Sequence, residues 1–111
     1  MTKEGWFRYT LSEQMSNIGA EVRHFIEARD NFRTGRSEED YSDFYYNKAV
    51  SYIDIIEEDP KNYRRINELE DCKKELLLLK AGVFSDKYIL DYWDQYTAAC
   101  AFRKQRQTGI I

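Results

Sequence analysis

The chain's single histidine stands in Glu21-Val22-Arg23-His24, an E-x-x-H spacing that sets a carboxylate and an imidazole on adjacent turns of a helix. On a bundle helix this pattern belongs to metal chemistry. A dinuclear site takes two such motifs and two further glutamates, because carboxylates bridge the metals and imidazoles close the ends. One histidine cannot complete that set within one chain. The helical wheel also turns it away: with Leu11 at zero and about 100° per residue, Val22 falls near 20° and His24 near 220°. His24 is expected in solvent, and no metal ligand and no cofactor is assigned.

Four carboxylates offer a second chemistry. Asp54-Ile55-Ile56-Glu57 and Glu68-Leu69-Glu70-Asp71 resemble the paired E-x-x-E and E-x-x-D motifs of all-helical nucleotide pyrophosphatases, whose acids converge on magnesium ions bridging substrate phosphates. Here the first residue is Asp. On the wheel, Asp54 and Glu68 point away from their apolar neighbours. Across the Asp59-Pro60 joint, Glu57 and Glu68 sit at axial levels about 9 Å apart. Solvated carboxylates are therefore expected, with a magnesium-dependent enzyme using Asp54, Glu57, Glu68 and Asp71 as the alternative.

Other chemistries lack their parts. Ribonucleolytic helical toxins place an Arg a turn or more before a His, but Arg23 precedes His24 directly and Arg8 lies sixteen positions earlier. No G-x-S-x-G, G-x-x-x-x-G-K or G-x-G-x-x-G occurs. Cys72 and Cys100 form no C-x-x-C and are too few for a disulfide scaffold, so both are expected as small apolar residues in a reducing cytoplasm. Residues 1–15 carry Lys3, Glu4, Arg8 and Glu13 with no apolar stretch, so no signal peptide is expected. No window reaches the roughly 20 apolar residues of a membrane span. The net charge of −3 supplies no global basic field for nucleic acid.

One Pro and five Gly in 111 residues disfavour an all-β fold and leave long helices to position these side chains. Thr10 and Glu13 have capping-box spacing ahead of a stripe of Leu11, Met15, Ile18, Val22, Phe25, Ile26 and Phe32, closed by Thr34-Gly35-Arg36. Ser37, followed by Glu38, Glu39 and Asp40, predicts the start of a second helix. Its stripe is Tyr41, Phe44, Tyr45, Ala49, Tyr52, Ile53 and Ile56. Asp59 caps a third helix with Pro60 at its first position. That helix carries Tyr63, Ile66, Leu69, Leu76 and Leu77, and Gly82 ends it. Ser85 caps a fourth, with Ile89, Tyr92, Trp93, Tyr96, Ala99, Cys100 and Phe102. Short joints make neighbours antiparallel. The expected fold is all-α, one domain over residues 1–111 and an up-down-up-down four-helix bundle. Residues 1–9 form an arm over one end and 104–111 a tail. Arg29, the one charge on the first stripe, is expected to snorkel from the helix end, with pairing to an acidic residue of a neighbour as the alternative. Gly19 is expected to admit a close neighbour.

Charge and aromatic content point to surfaces. Residues 37–59 hold eight acidic residues against Lys48, a net −7, whereas Arg103, Lys104 and Arg106 make residues 97–111 basic. A solvated acidic helix beside a more basic one accounts for this; acidic and basic faces meeting between chains is the sharper reading. Nine Tyr, six Phe and two Trp exceed what a small bundle core needs. Tyr41, Tyr45 and Tyr46, and the ladder Tyr88, Tyr92 and Tyr96, suit a core edge or a partner surface, since tyrosine is apolar along its ring and wet at its hydroxyl.

Leu11-Ser12-Glu13-Gln14-Met15-Ser16-Asn17-Ile18-Gly19-Ala20-Glu21-Val22 resembles the opening of a group of small prokaryotic helical proteins of unassigned function, with the pattern L-x-E-Q-M-x-N-I-G-S-E-V. Asp59-Pro60-Lys61-Asn62, with Arg65, Glu68 and Leu69, resembles that group's D-P-K-N-x-x-R-x-x-E-L region, and the Ala-rich stretch from Tyr96 to Arg103 is similar too. The resemblance spans roughly 11–103 and is interrupted around 27–46. It implies a helical protein and no known reaction. If the group shares a ligand face, it implies Gln14, Asn17 and Glu21 as the positions on it.

The function expected is a cytoplasmic, non-enzymatic protein–protein interaction module, acting as a homodimer. The alternatives are the magnesium-dependent enzyme and weak nucleic-acid binding through Arg103, Lys104 and Arg106.

Overall fold

The computed structural model describes residues 2–83 and 85–95, and every regular element among them is helical. A short helix α1 (Lys3–Phe7) leads into the long α2 (Leu11–Arg33). Then come α3 (Ser42–Glu57), a 3-10 stretch over Pro60–Arg65, α4 (Ile66–Lys80), and a further helix, α5, over residues 86–95. No described helix is long and apolar enough to cross a membrane.

The capping box forms as its spacing predicts: the Thr10 hydroxyl accepts from the Glu13 N–H, and the Glu13 carboxylate accepts from the Thr10 N–H. Gly35 and Gly82 both take φ near +80°, where a Cβ would be strained, and end α2 and α4. Asp59 accepts from the Lys61 N–H and starts the next segment with Pro60 in place. Ser85 accepts from the Tyr88 N–H at the head of α5.

Two helix starts depart from expectation. α3 begins at Ser42, five residues after Ser37. The Ser37 hydroxyl donates to the Glu39 carbonyl, and the Asp40 carboxylate accepts from the Ser42 N–H. These local bonds satisfy the backbone in a loop, in competition with a helical turn. Residues 60–65 are also not α-helical. Their tighter 3-10 winding turns the Asn62 side chain inward, where its amide donates to the Ile56 carbonyl.

The core runs through Met15, Ile18, Val22, Phe25 and Ile26 of α2, Ala49, Ile53 and Ile56 of α3, Leu69, Cys72, Leu76 and Leu79 of α4, and Ile89 and Trp93 of α5. Trp6 of the expected arm joins it, packed on Tyr52 with ring centroids 4.5 Å apart. The α4 stripe differs from its reading: Cys72 and Leu79 face in, while Tyr63 and Leu77 are exposed. Phe32, Tyr41 and Phe44 likewise lie outside the core. Ala99, Cys100 and Phe102 lie outside the described residues.

Side-chain pairs fix the neighbours. Glu21–Lys48 and Phe25–Tyr46 join α2 to α3, Lys73–Asp54 and Lys80–Asp43 join α3 to α4, and Cys72–Tyr92 joins α4 to α5. Arg23 meets Asp94 and Arg29 meets Asp86, so α5 descends as α2 climbs. Arg29 therefore does not snorkel. Its side chain is 11% exposed, and a carboxylate of the neighbouring helix at 2.5 Å compensates its charge. Gly19 sits against Trp93, where an added Cβ would lie 3.2 Å from the Trp93 Cβ. This close approach offsets the helix-propensity cost of the glycine.

Candidate functional site

Among the described residues, polar and aromatic side chains gather at several places, three of which hold the residues singled out in the sequence. The first lies at the α1 end and is buried. Gln14, wholly inaccessible, donates through Nε2 to the Trp6 carbonyl and to Asp59 Oδ2, both at 2.9 Å, and accepts at Oε1 from Asn62 Nδ2 at 2.9 Å. Lys61 Nζ donates to the Phe7 carbonyl at 2.9 Å and ion-pairs with Asp59. Burial pushes the Asp59 carboxyl up, but hydrogen bonds from Lys61 and Gln14 and the Lys61 charge outweigh it and hold the pKa below the usual range. The Gln14 segment and the Asp59-Pro60-Lys61-Asn62 segment thus meet here. Their joint work is to fasten α1 and α2 to the Asp59-Pro60 joint. Gln14, Asn17 and Glu21 do not form one exposed edge: Gln14 is inside, Asn17 is exposed, and Glu21 is buried against Lys48 at 3.4 Å.

The second place is the α3–α4 seam, where the pyrophosphatase-like acids were expected to stand in solvent. Asp54 and Glu68 do, but the Glu57 side chain is only 17% exposed. Lys73 takes the centre of this seam, with Nζ 2.8 Å from Asp54, 3.0 Å from Glu70 and 3.5 Å from Glu57. Burial, then a hydrogen bond with Glu70, raises the Glu57 pKa, while Asp54 and the other acids raise that of Lys73. Glu68 pairs instead with Arg65, one turn back on its own segment, at 3.0 Å, and Asp71 is exposed. Asp54, Glu57, Glu68 and Asp71 therefore do not converge, and an ammonium sits where a divalent cation would need their charge. Among the described residues no group of three or more His, Cys, Asp or Glu side chains is arranged to hold a metal ion. His24 faces solvent, near Glu27 at 3.9 Å.

The third place is open and aromatic. His24, Glu27, Ala28, Asn31, Ser37, Tyr41 and Tyr45 line a groove of about 170 Å³ between α2 and the start of α3. The His24 ring lies 5.2 Å from that of Tyr45, and Phe44 meets Tyr45 edge-on at 5.2 Å. Tyr41 is 54% and Phe44 61% exposed. The proposed tyrosines do not share one face. Tyr46 turns to the other side, against Phe25 and under the Lys80 ammonium. Tyr92 packs edge-on to Trp93 with its hydroxyl on Cys72, Tyr88 is exposed on α5, and Tyr96 lies outside the described residues, as do Arg103, Lys104 and Arg106.

Phe44 is one of the surface residues that the apolar stripes assigned to the core. The signal was present. Counting about 100° per residue from Ala49, Ile53 and Ile56 fall within about 40° of it and Phe44 near 220°, on the outer face. Comparison of the chain with protein-family models, with curated proteins and with solved structures gave no match in any of the three, so the groove stands on its own geometry.

Proposed function

We propose that the chain is a non-enzymatic protein–protein interaction module of the cytoplasm, an up-down-up-down four-helix bundle that acts as a homodimer through the aromatic groove end of α2 and α3. The observation that carries this reading is the pair Tyr41 and Phe44, more than half exposed and side by side with the groove; Tyr63 and Tyr88 are also exposed, but among the described residues they line no groove with other rings. Large rings left in water favour association, and tyrosine and phenylalanine are enriched where surfaces dock. The bundle topology is supported by the cyclic order of neighbours, α2 with α3, α3 with α4, α4 with α5 and α5 with α2. We also take the chain to be related to the small prokaryotic helical group whose pattern it resembles, which brings no reaction with it. The magnesium enzyme is disfavoured by Lys73 in the acidic seam.

Sedimentation equilibrium over a concentration series tests this. A dimer mass for the chain, shifting to monomer in Tyr41→Ser/Phe44→Ser at unchanged helicity, is the expected result. A monomer at all concentrations would refute it.

A further inference from the structure

The groove end has a charge as well as an apolar character. Glu38 and Glu39 lie in the loop between Ser37 and Tyr41, both of which line the groove, and Glu27 stands in its wall. Neighbouring acids are engaged: Asp40 accepts from the Ser42 N–H, and Asp43 faces Lys80 at 3.3 Å. Glu27 stands in the groove wall 3.9 Å from His24, the Tyr41 hydroxyl donates to the Glu39 carboxylate, and Glu38 is exposed in the same loop, so three carboxylates lie on or near this face.

Aromatic faces beside carboxylates form the setting that guanidinium groups favour, stacking on the ring while forking to the acid. The groove, at about 170 Å³, is smaller than the roughly 300–1,000 Å³ of small-molecule sites, and so suits an inserted side chain. The chain itself carries a complementary segment, Arg103-Lys104-Gln105-Arg106, with three cations for these three acids. The homodimer reading seats it in the groove of the second copy. The described part of α5 reaches residue 95 beside Arg23 while running toward the N-terminal end of α2, away from Glu27 and Asn31.

Resting on the homodimer reading above, we infer that the groove receives the Arg103–Arg106 segment of a second copy, with Glu27, Glu38 and Glu39 pairing its cations and Tyr41 and Tyr45 stacking its guanidinium groups. The exchange is reciprocal in a two-fold dimer, so each association makes two such contacts.

Sedimentation equilibrium of the full chain reads the effect directly. Reversing the segment (Arg103→Glu/Lys104→Glu/Arg106→Glu) or the loop acids (Glu38→Lys/Glu39→Lys) is expected to raise the dimer Kd about tenfold or more, and combining both in one chain to restore it to within about threefold. Raising salt from about 0.1 to 1 M, which shortens the screening length from about 10 to 3 Å, is expected to weaken the dimer of the unaltered chain. As a second readout, the resonances of His24, the only histidine, shift with concentration in the unaltered chain and stay fixed in the segment reversal. A dimer indifferent to both reversals and to salt overturns the inference and leaves the homodimer standing. Weakening by one reversal with no restoration in the combined chain overturns it equally. A monomer under all conditions removes both.

Discussion

The two ends of α2 hold polar side chains of similar type in opposite circumstances. At the N-terminal end, Gln14, Asp59, Lys61 and Asn62 bond to one another and to the Trp6, Phe7 and Ile56 carbonyls. At the C-terminal end, His24, Glu27 and Asn31 line a groove beside rings left in water. A buried polar cluster whose members satisfy one another has little bonding capacity left for a ligand, and its value is fixing one arrangement of the chain. An open cluster of rings and carboxylates is unsatisfied in the opposite sense. It lowers its free energy by covering apolar surface. Polar residues in a motif therefore mark the fastened end here, and function is sought at the other.

Removing the fastening should cost the most. Trp6→Ala takes an indole out of the core and frees α1, with an expected loss of about 3–4 kcal/mol in urea unfolding. A loss below about 1 kcal/mol would mean that α1 does not belong to the fold. Gln14→Leu leaves Asp59 and Asn62 each short of a partner in a buried site, for about 2–3 kcal/mol by the same measurement. An unchanged midpoint would break the distinction between the two ends.

Asp59 gives that distinction a pH signature. Because its folded pKa lies below the ordinary 3.8, it contributes stability above that value, which is lost as pH falls through the folded pKa. Asp59→Asn should therefore flatten the acid limb of the stability curve below about pH 4. An acid limb as steep as that of the unaltered chain would show that Asp59 is not its source. Glu57, with its pKa raised by burial, works in the opposite direction: it favours the fold at low pH and loses that contribution as pH rises past the ordinary 4.5. The smallest stability effect is expected at the open end. Phe44→Ser should change unfolding by less than about 0.5 kcal/mol while weakening self-association, which sedimentation detects. A large destabilisation would place Phe44 in the core after all.

Local chemistry was legible wherever it acted over a few residues. The Thr10–Glu13 box, the glycine stops and the Asp59 cap all read correctly, since each depends on neighbours in the chain. The close contact at Gly19 was also legible, because a helix-interior glycine costs free energy that a neighbour must offset. Ser37 misled because a serine before acids is equally suited to a loop, and the Asp40 carboxylate took the Ser42 N–H instead. Gln14 was drawn to the surface by its polarity. Its burial needed three partners: Asp59 and Asn62 from far along the sequence, and a carbonyl from α1. For Arg29 the sequence allowed an acidic partner on a neighbour but could not favour or name Asp86, which is distant in sequence. Glu57 was judged from its own wheel, which does not contain Lys73.

The sequence by itself determined that the chain is helical, where its strongest caps and stops fall, and that its single histidine cannot complete a dinuclear metal set within one chain. Those are matters of periodicity, local hydrogen bonding and inventory. Only the tertiary structure decided which polar residues are spent inside and which rings are left in water. That choice depends on which helix faces which, and side chains tens of residues apart satisfy or expose one another only after the chain has folded.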